Sequence, residues 1–201
     1  MNRTGLLLAL LLAAGCATGP EQAAASGGHH ASHAAPAPDG PSGSPASEGS
    51  ASHGGFNGTD AAWVQLMIPM IDRTMPMLDL AAHEAADPAV RRLAASLGPA
   101  HRAERARLAE LRKSAGISEV NVHEGHDMPG MVTASQLDAM RAAGGKELDE
   151  LFLRCLRDHL DQSVLVTRGE RASGSDPRAL ALAADLERAR TAQLARLDEL
   201  T

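Results

Sequence analysis

The chain has 201 residues, a formal net charge of −6, two cysteines, no tyrosine and an aromatic content of 1%. The acidic balance, with Arg interleaved among Glu and Asp instead of forming a basic stripe, excludes nucleic acid as a partner, and the scarcity of rings removes base-stacking platforms. A core has to be built from Ala, Leu, Val and Met.

Residues 1–15 read as an export signal, with Arg3 as the basic start, Gly5 to Ala14 as the apolar run and Gly15-Cys16 as the small-residue cleavage point. The run is too short to span a bilayer as a permanent helix. Its end, "LLAAGC", resembles a bacterial lipoprotein signal, in which the cysteine becomes the lipidated first residue of the mature protein. Cys16 is therefore the expected lipidation site, and the membrane is an expected partner through that lipid anchor; an ordinary secretory signal is the alternative. Cys155 is then left without an intramolecular partner, which excludes a disulfide framework. The expected location is the bacterial cell envelope.

Residues 16–58 continue as a disordered linker of Gly, Ser, Ala, Pro and His. A coil of about forty residues would hold a folded domain on the order of 35 Å from its anchor. His29, His30, His33 and His53 lie here, and either loose metal capture or low-complexity drift accounts for them.

From residue 59 to 201 the pattern is helical. Thr59 or Asp60 is expected to cap a first helix reaching about Ala86, kinked at Pro69 and Pro76. Asp87-Pro88 starts a second helix that ends before Gly116, with a bend at Gly98-Pro99. Thr133 and Gln136 form a capping-box pattern for a short helix stopping at Gly144-Gly145. A fourth helix follows from about Lys146 to Ala172, and a fifth runs from Asp176-Pro177 to the end. With residue 87 set against 176, Asp87-Pro88, Leu93-Ala94-Ala95, Leu97, Leu108 and Leu111 fall on Asp176-Pro177, Leu182-Ala183-Ala184, Leu186, Leu197 and Leu200. The chain looks duplicated. Two helical hairpins joined by a connector predict an all-α four-helix bundle.

Polar residues interrupt the apolar stripes at helical spacing. The second helix runs Val90, Leu93, Leu97, His101, Glu104, Leu108, Leu111; the fourth runs Phe152, Leu156, His159, Ser163, Val166; the fifth runs Leu186, Arg190, Gln193, Leu197, Leu200. Arg73, His101, Glu104, His159, Arg190 and Gln193 are therefore candidates for the bundle interior. They fit either a metal held by His101, Glu104 and His159, or a salt-bridge network in which Glu104 neutralises Arg73 or Arg190; two arginines near one site favour the network.

The stretch "GHDMPGMVTASQLDAMRAAGGKELDELFL", residues 125–153, carries a Met-Pro-Gly-Met turn, a capped short helix, a Gly pair and an Asp-x-x-Phe-Leu opening in that order. It resembles domain-of-unknown-function family 305, exported bacterial proteins with a ferritin-like helical bundle, often duplicated, some linked to copper. The resemblance covers residues 60–200. The family's signature, Met-Ile-Pro-His-His followed by Ala-x-x-Met-Ala, is placed on residues 70–81, with Arg73 and Thr74 at the paired histidines, and again on 156–167, where His159 is kept and Leu160 takes the other place. Its later Gln-x-x-Glu falls on His101 and Glu104, and on Arg190 and Gln193.

The loop around "GHDMPGM" offers His123, His126, Met128 and Met131 as metal ligands, and imidazole with thioether suits copper better than magnesium or calcium. No arginine is expected to crowd them. The same stretch also reads as a connector in which Pro129-Gly130 is the centre of a type II turn and the methionines pack onto the bundle. Met67, Met70, Met75 and Met77 read as flexible core filler. No Glu-x-x-His occurs, so a di-iron bundle oxidase is excluded, and Cys155 reads as a small buried thiol. The expected function is a non-catalytic, surface-tethered copper-handling protein using the 123–131 loop; the alternative is a structural or interaction module whose metal site has been lost.

Overall fold

The computed structural model describes residues 55–201, so the export signal, Cys16 and the four linker histidines lie outside the described residues. Five helices and no strand are present among them: α1 Gly58–Glu84, α2 Pro88–Ser114, α3 Ala134–Ala143, α4 Gly145–Ser173 and α5 Pro177–Asp198. The fold is the all-α bundle that the periodicity predicts. α1 packs on α2 and α4 on α5, the two hairpins meet chiefly through α1 and α4, and α3 lies against α4.

Each start has a local cause. Asn57 caps α1, its side chain accepting from Thr59 N at 2.8 Å and Asp60 N at 3.0 Å while Asp60 accepts from Asn57 N at 2.6 Å. The cap thus precedes both expected residues, because Asp60 serves as the third-position partner of a capping box. Asp87 and Asp176 cap α2 and α5 with proline next in the chain, and Thr133 with Gln136 forms the predicted box at α3. α1 runs as one helix through Pro69 and Pro76, and α2 through Pro99.

The duplication extends to tertiary contacts. Asp149, near the start of α4, accepts from Ala86 N and Asp87 N in the α1–α2 joint, both at 2.8 Å. Asp60, near the start of α1, accepts from Ser175 N at 3.0 Å and Asp176 N at 3.1 Å in the α4–α5 joint. The offset from 60 to 149 equals that from 87 to 176, so the two halves share one register.

The interior has two apolar clusters. One gathers Met77, Leu78, Leu93, Leu97, Phe152 and Leu156 with their neighbours; the other gathers Trp63, Met67, Met70, Ile71, Leu108 and Leu186 with theirs. Met67, Met70 and Met77 are fully buried, filling space that aromatic residues usually occupy. On every long helix the step from one cluster to the other crosses a polar residue: Thr74 on α1, His101 and Glu104 on α2, His159 and Ser163 on α4, Arg190 and Gln193 on α5.

Candidate functional site

This polar layer is the candidate site. In the shared register His101 corresponds to Arg190, Glu104 to Gln193, Thr74 to Ser163, and Met70 to His159. Arg73, expected inside the bundle, is not part of the layer: its side chain is 27% exposed and reaches Asp127 in the connector at 3.2 Å. In the shared register Met70 and Ile71, not Arg73 and Thr74, correspond to His159 and Leu160, and Arg73 is the counterpart of Gln162.

His101 and His159 are fully buried and meet edge to edge, with Nε2 to Nε2 at 3.3 Å and ring centroids 5.4 Å apart. Their other nitrogens bear on their tautomers. His101 Nδ1 lies 3.2 Å from the Leu97 carbonyl, an acceptor only, so Nδ1 carries the proton. His159 Nδ1 lies 3.2 Å from the Gly130 carbonyl and 3.0 Å from Thr74 Oγ1. The Thr74 hydroxyl also reaches Met70 O, at 2.9 Å. His101 thus presents an accepting Nε2, while His159 Nδ1 can either donate to the Gly130 carbonyl or accept from the Thr74 hydroxyl.

With its hydrogen on Nε2, His159 donates to His101 Nε2 and takes the Thr74 hydroxyl on Nδ1, so two neutral imidazoles satisfy both rings. With its hydrogen on Nδ1 it donates to the Gly130 carbonyl and two Nε2 lone pairs meet. A shared proton would mend that contact, yet burial, the Arg190 charge and the facing His159 hold His101 well below the usual imidazole range. Burial and the same arginine bring His159 down to about 3.

Glu104 and Arg190 complete the layer. Arg190, fully buried, donates to Glu104 at 2.7 Å and to Gln193 Oε1 at 3.1 Å, so its charge is balanced by a carboxylate. Arg190 Nε and Ser163 Oγ have no partner. Glu104 is thus engaged with a guanidinium and is not positioned as a third ligand beside the histidines.

The connector's four candidates differ in burial. His126 lies at the surface, His123 and Met128 are half-buried, and Met131 is buried against the cluster containing Trp63 and Met67. Met131 N donates to Met128 O at 3.0 Å and Gly130 has φ +75°, the left-handed third position of the type II turn. Against expectation an arginine does crowd the loop, through the Arg73–Asp127 pair. Among the described residues no group of three or more His, Cys, Asp or Glu could hold a metal ion. The turn also reaches the interior, where its Gly130 carbonyl lies 3.2 Å from His159 Nδ1. It is pressed so closely onto α4 that a Cβ on Gly130 would come within 2.4 Å of Gln162 Cβ.

Thr74 escapes a reading of polar stripes because a lone hydroxyl in a Met-rich helix looks incidental, although its i+4 spacing from Met70 carries the signal. Cys155 is buried at 6% exposure and burial pushes its thiol up, so it is an inert packing group.

The profile of Domain of unknown function (DUF305) matches residues 60–201. The chain belongs to this family. It superposes with TM-score 0.64 on a DUF305 protein from Streptomyces coelicolor described as secreted, at 18% identity over 71% of this chain and 91% of the other. A DUF305 fragment from Deinococcus radiodurans gives TM-score 0.65 at 16% identity, over 72% and 96%. CopM in the Cu(II)-bound form gives TM-score 0.60 at 19% identity, over 70% and 94%. At these identities the likeness establishes the fold. No curated protein matches the chain. No helix among the described residues is long and apolar enough to cross a membrane.

Proposed function

We propose that the protein is a non-catalytic, lipid-tethered DUF305 bundle of the bacterial cell envelope that binds copper as Cu(I) between His101 and His159. One observation supports this reading: two fully buried imidazoles bring their Nε2 atoms within 3.3 Å of each other, each with its Nδ1 3.2 Å from a backbone carbonyl. Two neutral nitrogen donors with no third ligand suit an ion content with two-coordination, which Cu(I) is and Zn²⁺ or Mg²⁺ is not. Arg190 opposes any cation there, but its pairing with Glu104 leaves that couple neutral. CopM, a structural neighbour, is a copper-bound bundle. The "LLAAGC" signal supports export and anchoring, and the exposed His126 suits first capture from solution.

The test is a competition titration of Cu(I) against a chromophoric chelator, using protein purified without a His tag. Wild type, His101→Gln, His159→Gln and His126→Ala are compared. The reading predicts one tight equivalent that disappears in either interior variant and persists in His126→Ala. Equal tight binding in wild type and both interior variants, or none in wild type, overturns it. The alternative of an interaction module with a lost site is favoured by the Met70 and Ile71 replacements of the signature histidines, and it predicts that no variant changes copper binding.

A further inference from the structure

The two joints of the duplicated bundle use one device and differ at one buried position. At α1–α2 the Asp149 carboxylate holds Ala86 N and Asp87 N, and the adjoining buried position is Ala81. At α4–α5 the Asp60 carboxylate holds Ser175 N and Asp176 N, and the position equivalent to Ala81 is Glu170, 1% exposed. Neither Glu170 carboxyl oxygen meets an N–H or O–H donor of another residue. The carboxyl is folded against its own helix end, so that a Cβ on Gly174 would fall 2.4 Å from Glu170 Oε1, and the next residue, Ser175, is held by the Asp60 carboxylate through N at 3.0 Å and Oγ at 3.2 Å, which brings the two carboxyls to the same joint.

The ionisable groups turned toward it are both acids, Asp60 from α1 and Asp176 from the joint. Arg178 of α5, the nearby cation, is engaged with Asp176 at 3.0 Å. Glu170 also sits in the last turn of α4, where the helix dipole disfavours an anion. Asp60 is already committed as an anion by the backbone N–H groups it accepts, including Asn57 N at 2.6 Å. Two buried carboxyls can face each other only if one keeps its proton. That one is Glu170.

We propose that Glu170 is a proton-operated latch on the α4–α5 joint: its protonated carboxyl donates to Asp60, and loss of that proton loosens this end of the bundle while the Asp149 joint stays closed. What the latch holds is the entry of the chain into the domain. Asn57 Nδ2 donates to Ser173 O at 2.8 Å, Ser175 Oγ donates to Gly55 O, and Phe56 is buried with the Arg178 guanidinium 5.9 Å from its ring centre. Burial, followed by the bond to Asp60 and the negative charges of Asp60 and Asp176, lifts the Glu170 carboxyl to about 8. The latch is therefore closed in acid and neutral conditions and opens in mild alkali.

The experiment is amide hydrogen exchange by NMR on the full chain from pH 6 to pH 9.5, with ¹³C titration of the Glu170 carboxyl. Protection of Ser175 and Asp176, taken as a ratio to that of Ala86 and Asp87, is expected to fall about tenfold per pH unit above pH 8, the slope of opening linked to one proton. Glu170→Gln, which keeps a neutral donor to Asp60, and Glu170→Ala, which copies Ala81, are both expected to hold the ratio constant. A Glu170 titration near the ordinary glutamate range, a ratio unchanged with pH in wild type, or a fall that survives in both variants overturns the proposal. Restoration of protection at pH 9.5 by added calcium also overturns it, since the acids would then be a cation site. Copper is absent from every arm.

Discussion

Glu104 and Arg190 bury opposite charges 2.7 Å apart, and the pair makes the polar layer tolerable. Removing one partner leaves a bare charge in the core: Glu104→Gln is expected to cost about 3–5 kcal/mol in urea unfolding, whereas Glu104→Leu combined with Arg190→Met is expected to be neutral or stabilising. A double variant as unstable as the single one would mean that the layer itself, and not the unpaired charge, sets stability. Gly130 is equally constrained. Its φ of +75° and the 2.4 Å approach to Gln162 Cβ mean that Gly130→Ala should displace the turn and free His159 Nδ1, weakening Cu(I) binding at least as much as it lowers thermal stability. Of the layer, His101, Glu104, His159, Arg190 and Gln193 are legible in sequence because each interrupts an otherwise apolar stripe at i+3 or i+4. Arg73 lies outside the layer, and its place there is not legible, because "MIPMIDRTM" is apolar at so many positions that its helical phase is ambiguous by a turn.

At the scale of elements, the two aspartates that stitch the hairpins together make equivalent bonds, and their loss should be measurable separately. Asp149→Ala strands the N–H groups of Ala86 and Asp87 and should cost about 1–3 kcal/mol, and Asp60→Ala should cost at least as much because it also removes the α1 capping box. Comparable unfolding midpoints for wild type and both variants would refute this account of the joints. The helices themselves are legible: Asp-Pro starts, the Thr133–Gln136 box and the Gly pair mark ends to within two or three residues, since caps are local. The stitching is hidden, because Asp60 and Asp149 look like ordinary first-turn acids until the fold brings each beside the opposite hairpin's joint. Only the 89-residue repeat could have paired them. The turn at Met128–Met131 is legible as a turn, but its task is not, since nothing in the sequence shows that the Gly130 carbonyl reaches His159.

For the molecule as a whole, two buried groups set opposing pH limits. The histidines are held below their ordinary range, so the unfolded chain takes up protons that the folded one refuses; stability falls as pH drops from about 6.5 toward 3. Glu170 is held above its ordinary range, so the folded chain keeps a proton that the unfolded one has lost; stability falls as pH rises from about 4.5 through 8. Thermal unfolding across pH should therefore peak in mildly acidic solution, with Glu170→Gln flattening the alkaline limb alone and a His101→Leu, His159→Leu pair flattening part of the acid limb. The DUF305 bundle was legible as a class from its repeat and its connector; the condition of its centre was not, because its imidazoles meet carbonyls contributed by α2 and the connector. The most direct test of that centre is ¹⁵N NMR of the His101 and His159 rings before and after one equivalent of Cu(I). The account predicts that both Nε2 resonances shift together on loading and both Nδ1 atoms then carry hydrogens; ring signals unmoved by Cu(I), or a loaded protein with a hydrogen on either Nε2, would contradict it.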